Sequence, residues 1–320
     1  MRIVFCGTPH FAVPALKRLL AKPDFQIVGA ISQPDRPRGR GHVVSPSPVK
    51  TIALGAGLPV HQPEKIRSAE ARELLQKLAP DGVVIIAYGQ IIPAPLLSIP
   101  KFGWINLHAS LLPRYRGAAP INWAIANGET KTGVTTMRID AGMDTGEILL
   151  QREIPIGARE TAPDLSVRLA EAGASLMEET LLGLMAGRIA GRAQDNINAT
   201  YAPLLKKEDG RVEWSRSAKE IFDRLRGFAP WPGAYTTFRG QTCQVWGEPV
   251  SKQMRKETIG DRTAVAPGTL VQGKEELHVV CGGTTVLRVL TVKLEGRKQV
   301  TAAEFANGAR LKAGERFGIT

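Results

Sequence analysis

The sequence has no cysteine pair close enough to act as a staple. Its three cysteines, Cys6, Cys243 and Cys281, are far apart and odd in number, with no CxxC spacing and no histidine cluster beside them. Neither a disulfide framework nor a metal site is indicated. No stretch approaches the roughly 18 uninterrupted apolar residues needed to span a bilayer, so no membrane association is expected. Met1-Arg2 runs directly into the short apolar strand Ile3-Val4-Phe5-Cys6, without the long hydrophobic segment and small-residue cleavage site of a secretion signal; a cytoplasmic protein is expected. Internal repeats and low-complexity tracts are also missing. After the first strand, Gly7-Thr8-Pro9-His10-Phe11 contains neither G-x-G-x-x-G nor a Walker lysine, which leaves a dinucleotide-dependent dehydrogenase or an NTPase with little support.

What is present points to a two-domain protein. The 320 residues exceed one typical domain, and 43% hydrophobic content suffices for globular packing. Net charge is +12, and residues 206–320 carry 20 basic and 13 acidic groups. A polyanionic partner is expected, with nucleic acid first among the candidates.

The first half alternates strand and helix patterns. Apolar runs at 3–6, 27–32, 82–87 and 103–107 read as strands buried on both faces, and 12–21, 48–55 and 69–78 read as helices. This is the pattern of a doubly wound parallel α/β sheet. Runs at 133–139 and 147–156 read as an antiparallel extension of that sheet, and 162–186 as a long amphipathic helix that closes the domain. Residues 188–207 lose periodicity and read as a linker, which divides the chain into domains 1–187 and 208–320. The second begins with a helix at 215–228 and continues in short strands at 234–238, 242–245, 268–271, 277–280 and 286–292. A small OB-like β-barrel is expected there.

The chemistry concentrates around residue 106. Asn106 and His108 stand two apart at the end of a strand and so face the same side, where both can reach the oxygen of a reacting carbonyl. Asp144, in the loop Asp140-Ala141-Gly142-Met143-Asp144-Thr145-Gly146, supplies a carboxylate that can move protons. Together they form an acyl-transfer set, placed where an open parallel sheet binds its ligands. Asp140 is the competing carboxylate, but its place near the end of the preceding strand suits a turn role.

Several segments together resemble the methionyl-tRNA formyltransferase family. They are Gly7-Thr8-Pro9-His10-Phe11; Gln33-Pro34-Asp35-Arg36-Pro37, leading to Gly39-Arg40-Gly41 and Pro46-Ser47-Pro48-Val49-Lys50; Ala87-Tyr88-Gly89; Asn106-Leu107-His108; Ser110 to Ile121; Thr132-Gly133-Val134-Thr135; Met143-Asp144-Thr145-Gly146; and, downstream, Trp214-Ser215 and Pro230-Trp231-Pro232. The resemblance implies a Rossmann-like formyltransferase domain followed by an OB-like domain. It implies transfer of the formyl group of 10-formyltetrahydrofolate to the α-amino group of methionine on initiator tRNA, with Asn106, His108 and Asp144 as the catalytic residues. In that chemistry Asn106 and His108 donate N–H groups to the oxygen that gains charge, and Asp144 relays protons. No metal is required.

A pterin carries ring nitrogens and an exocyclic amine that exposed backbone groups can read, so the folate cosubstrate is expected between the segment holding Tyr88, Gly89 and Ile91 and the Asp140–Asp144 loop; Ser110, Leu111, Leu112 and Pro113 resemble the family's folate-binding segment. Arg40, between two glycines in a long loop, and Lys206 and Lys207, at the domain junction, are the candidates for contact with tRNA. The loop after Gly41 reads His42-Val43-Val44, less basic than the resemblance leads one to expect. A folate-dependent enzyme acting on a small amine is the alternative, and the basic second domain argues against it. A monomer is expected.

Overall fold

The computed structural model describes residues 1–38, 43–260, 265–273 and 276–318. Its contacts divide the chain into two units. One comprises Met1–Ile121, Lys131–Ile156 and Asp164–Pro203, and the other Asn122–Thr130, Gly157–Pro163 and Leu204–Thr320.

The elements of the first half are β1 (Arg2–Gly7), α1 (Val13–Leu20), β2 (Gln26–Ile31), β3 (Arg36–Arg38), β4 (Val43–Ser45), α2 (Pro48–Gly55), β5 (Val60–His61), α3 (Ala69–Leu78), β6 (Gly82–Ile86), α4 (Ala94–Leu97), β7 (Trp104–His108), α5 (Pro120–Ala126), β8 (Lys131–Arg138), β9 (Ile148–Pro155) and α6 (Ala162–Met185). The main sheet has the order β5-β2-β1-β6-β7-β8-β9. Its first five members are parallel, and β8 and β9 extend it antiparallel. The apolar runs are central strands: Ile3, Val4, Phe5 and Cys6 are fully buried, as strands covered by helices on both faces require. The helices start where hydroxyl caps allow, with Ser47 accepting from the Lys50 N–H and Ser68 from the Ala71 N–H.

Strand order reverses about β1 and β6, so a crevice opens beyond their carboxyl ends, at Gly7-Thr8 and Ala87-Tyr88. Doubly wound sheets bind ligands at such a switch point. Leu107, whose side chain leaves β7 on the face away from Asn106 and His108, lies against α6 at Gly173. A Cβ on that glycine would stand 2.5 Å from a Leu107 methyl, so any larger residue there would have to displace Leu107. The elements missing from the sequence reading are short: β5 has two residues, α4 has four, α5 has seven, and the β3–β4 pair has three on each side. Runs of that length show no measurable period.

The second unit holds α7 (Ala218–Gly227), β10 (Tyr235–Phe238), β11 (Gln241–Pro249), α8 (Lys252–Ile259), β12 (Leu270–Gln272), β13 (Leu277–Val280), β14 (Val286–Leu294), β15 (Val300–Thr301) and α9 (Ala302–Ala309). Its strands pair antiparallel in the order β10-β11-β14-β13-β12, with β15 on β14. Sequence reading anticipated a small OB-like β-barrel. Among the described residues the terminal strands β10 and β12 do not pair with each other, and what stands is an antiparallel sheet domain. Its core is aromatic: Trp214 stacks on Phe317 at 5.6 Å between ring centres, and Phe238 meets Phe305 edge-on at 5.0 Å. All three cysteines are free and buried, Cys6 in the first unit and Cys243 and Cys281 in the second.

Candidate active site

β7 pairs with β6 on one side and β8 on the other, which puts Asn106 between Ile85 and Met137. Its half-buried side chain makes no hydrogen bond among the described residues, so its amide remains available to a substrate. Two residues on, His108 is 6% exposed. Its Nε2 lies 2.8 Å from the Tyr115 carbonyl oxygen. A carbonyl only accepts, so Nε2 carries the proton and donates. Nδ1 is then the nitrogen left to gain or lose a proton, and it faces Asp144 Oδ2 at 3.7 Å.

The carboxylate arrives by an indirect route. Because β8 runs antiparallel to β7, its last residue, Arg138, lies opposite Ile105 near the start of β7. The following loop must fold back to reach His108. Asp140 shapes the first part of that return: its carboxylate accepts from the Gly142 N–H at 3.0 Å and from the Thr145 hydroxyl at 2.7 and 2.9 Å. Asp144 itself has φ of +53°, a left-handed conformation that aspartate tolerates better than most residues. Its Oδ2 accepts the Gly117 N–H at 2.8 Å. Gly117 has φ of +117°, and a Cβ there would stand 2.7 Å from the Ala202 carbonyl oxygen, so glycine is required at this donor.

The other sequence-predicted residues divide by exposure. Ile91 is 90% exposed on the segment that follows β6, where Gly89, with φ of +87°, is exposed as well. Tyr88 faces inward. Its ring packs with Cys6, Ile92 and Trp104, its hydroxyl finds no partner among the described residues, and burial pushes its phenol pKa up. Its carbonyl stays at the rim and accepts from Gln33 Nε2 at 3.0 Å. Nearby, Lys50 pairs with Asp35 and holds that carboxyl below its usual range.

Ser110 and Leu112 are buried and tied to β8. The Thr135 hydroxyl donates to the Ser110 carbonyl at 2.6 Å and accepts the Leu112 N–H at 3.2 Å. Half-buried Leu111 packs over Gly133, and Pro113 is half-buried beside it. Lys206 and Lys207 are exposed in the second unit. Arg40 lies outside the described residues. Sequence reasoning noted the segments but gave no role to Thr135, the Tyr115 carbonyl or the Gly117 amide. The last two are backbone groups, and no residue type announces them.

Among the described residues no group of histidine, cysteine, aspartate and glutamate could hold a metal ion, and no helix is long and apolar enough to cross a membrane. The family model described as formyl transferase matches residues 1–181, and that of the formyl transferase C-terminal domain matches 204–310. A methionyl-tRNA formyltransferase of Solibacter usitatus is 49% identical over 99% of both chains. One from Geobacter sulfurreducens is 46% identical over 99% of this chain and 97% of its own. Among solved structures, a sugar 3N-formyl transferase determined in the presence of dTDP and 5-N-formyl-THF superposes with a TM-score of 0.63 at 17% identity, covering 93% of this chain and 99% of that one. At that identity the likeness concerns the fold.

Proposed function

The chain belongs to the formyl transferase family, among its methionyl-tRNA formyltransferases, and on that premise we propose that Asn106, His108 and Asp144 perform the transfer. The reaction moves the formyl group of 10-formyltetrahydrofolate to the α-amino group of methionine on initiator tRNA. The observation that carries the residue assignment is the meeting of His108 Nδ1 with Asp144 Oδ2 at 3.7 Å, two residues along β7 from an Asn106 amide with no partner among the described residues.

Attack of a neutral amine on the formyl carbon builds negative charge on its oxygen. The sequence reading assigned that oxygen two donors, Asn106 and His108; with His108 Nε2 bonded to the Tyr115 carbonyl, the Asn106 N–H is the donor free to meet it, and such a fixed donor contributes mainly in the transition state. The amine becomes cationic as it attacks and must lose a proton, while the departing N10 needs one. His108 with Asp144 suits that transfer, because a proton taken at Nδ1 faces the carboxylate while Nε2 keeps its bond to Tyr115. Asp144 is held ready by the Gly117 N–H.

The folate supplies the formyl group. The exposed rim of Gly89 and Ile91 with the Tyr88 carbonyl suits a flat, polar-edged ring, which needs apolar contact on its face and backbone groups at its edge. Ser110, Leu111, Leu112 and Pro113 support it from the β7–β8 side, and Asp140 acts by shaping the loop. Arg40, Lys206 and Lys207 are the proposed tRNA contacts, on a chain organised as a catalytic domain at 1–187, a linker at 188–207 and an OB-like domain at 208–320. We place the enzyme in the cytoplasm as a monomer. A small amine acceptor would leave the excess positive charge of residues 206–320 without a role.

The test is formyl transfer from 10-formyltetrahydrofolate to charged initiator tRNA, run beside uncharged tRNA and free methionine. Only the charged tRNA is expected to react efficiently. Comparable transfer to free methionine would overturn the tRNA reading.

A further inference from the structure

Residues 182–203 lie between the two matched family models, yet they reach into the active site. The backbone of 200–202 runs beside 113–119: the Thr200 N–H donates to the Pro113 carbonyl, the Arg116 N–H to the Thr200 carbonyl at 2.8 Å, and the Ala202 N–H to the Arg116 carbonyl at 2.7 Å. Upstream, the side-chain amide of Gln194 donates to two carbonyls of the catalytic loop, those of Asp144 and Gly146, each at 2.8 Å. Its Oε1 accepts from Arg116 Nε at 3.0 Å and Nη2 at 2.8 Å.

Arg116 is 3% exposed, and its Nη2 also reaches Asn196 Oδ1 at 2.8 Å. Among the described residues it has no carboxylate within ion-pair distance; its charge rests on amide oxygens. A guanidinium pulling on Oε1 polarises the amide and strengthens its N–H groups as donors. The loop needs that hold, since a non-glycine residue kept at positive φ costs about 1 kcal/mol or more and persists only where its surroundings enforce it.

We propose that Gln194, polarised by Arg116, is a positioning residue for the reaction: it pins the backbone on either side of Thr145 so that the Asp144 carboxylate stays aimed at His108. This rests on the reading of Asp144 as the proton-relaying group. The bland alternative is that Gln194 serves only to satisfy a buried arginine.

Gln194→Glu separates the two. It keeps the acceptor for Arg116 but replaces two N–H donors with oxygen facing two carbonyls. Positioning predicts a fall in kcat on the order of 100-fold, the scale expected when a reacting group is misplaced by about 1 Å. KM for the folate and Tm should stay near those of the parent. Parental kcat in Gln194→Glu would overturn the proposal. In an Asp144→Ala background Gln194→Glu should cost nothing further, because the group it aims is gone; the same fractional loss in both backgrounds would also overturn it. Should the glutamate variant not fold, Arg116→Met with Gln194→Leu removes donor and charge together, leaves no unpaired polar side chain at either position, and must show the same kcat loss. If Asp144→Ala itself keeps full activity, the premise fails; if Asp144→Ala is disabled while Gln194→Glu is active, only this inference fails.

Discussion

His108 has one nitrogen committed to a backbone carbonyl and one facing a carboxylate, which leaves Asn106 as the neutral donor of the set. Replacing Asn106, His108 or Asp144 by alanine should each lower kcat by about 100-fold or more while folate affinity, measured by titration, stays close to the parent, because in the proposed mechanism these groups act on charge that develops during reaction. Collapse of folate affinity with kcat at saturation unchanged would make them binding residues instead. The candidate set Asn106, His108 and Asp144 could be named from the sequence, since an amide and an imidazole at strand spacing, with a carboxylate between glycines, already describe a chemistry, and the structure brings the last two within 3.7 Å. Gln194 could not, because a glutamine 50 residues downstream of the loop it holds leaves no local pattern. Two other histidines bear on stability. Burial holds the pKa of His61 and of His278 below the ordinary 6.5, and for His278 Arg288 adds to the lowering while Glu276 opposes it. Below pH 6.5 the unfolded chain takes up protons that the folded chain refuses, so stability should fall as pH drops from that value. His278→Gln should flatten the part of the loss that belongs to the second unit, as read by urea titration at pH 7 and pH 5.5; an unchanged pH dependence would contradict it.

At the scale of elements, β7 is seated from behind. Leu107 occupies the space that a side chain at Gly173 of α6 would take, so Gly173→Val must either push β7 or force Leu107 off its rotamer. A loss of about 1–3 kcal/mol in stability is expected, with a lower kcat because Asn106 and His108 ride on the same strand. Denaturant titration and turnover should show both effects, and full stability with full activity would mean that the strand position is set elsewhere. The long elements were readable because burial on both faces writes continuous apolar runs in β1 and β6, and a 24-residue α6 gives several turns of amphipathic period. Helices α8 and α9 were not read. The sequence of α8, Lys252-Gln253-Met254-Arg255-Lys256-Glu257-Thr258-Ile259, buries only Ile259, so it has no apolar stripe to find. For α9 the signal was present but unread: Thr301 and Glu304 form a capping box, the pattern that marks a helix start.

At the scale of the whole molecule, the second unit draws on two pieces of the first half of the chain. Within it Trp123 meets Phe228 edge-on at 5.2 Å, Asn122 Nδ2 donates to the Gly227 carbonyl at 2.7 Å, and the Arg226 guanidinium donates to the carbonyls of Gly157 and Glu160 at 3.1 and 2.8 Å. A fragment ending at Pro203 keeps residues 122–130 and 157–163 but loses these partners. It is expected to fold about the seven-stranded sheet and bind folate, with a lower Tm and a red-shifted emission from an unprotected Trp123. Its tRNA binding should be weak and less dependent on salt, as phosphate contacts are lost; an unchanged salt slope would assign the charge of residues 206–320 to solubility. The cysteines, whose spacing argued only against disulfides and metals, acquire a use at this scale. Burial drives the Cys6 thiol well above its ordinary range and the Cys243 and Cys281 thiols up to about 12, so at neutral pH a folded chain offers no nucleophilic sulfur. Each sulfur becomes reactive only when its own unit opens. Pulsed alkylation followed by peptide mass spectrometry would therefore time two opening events in one intact, unmutated chain, with Cys6 as the clock of the first unit and Cys243 and Cys281 as a paired clock of the second.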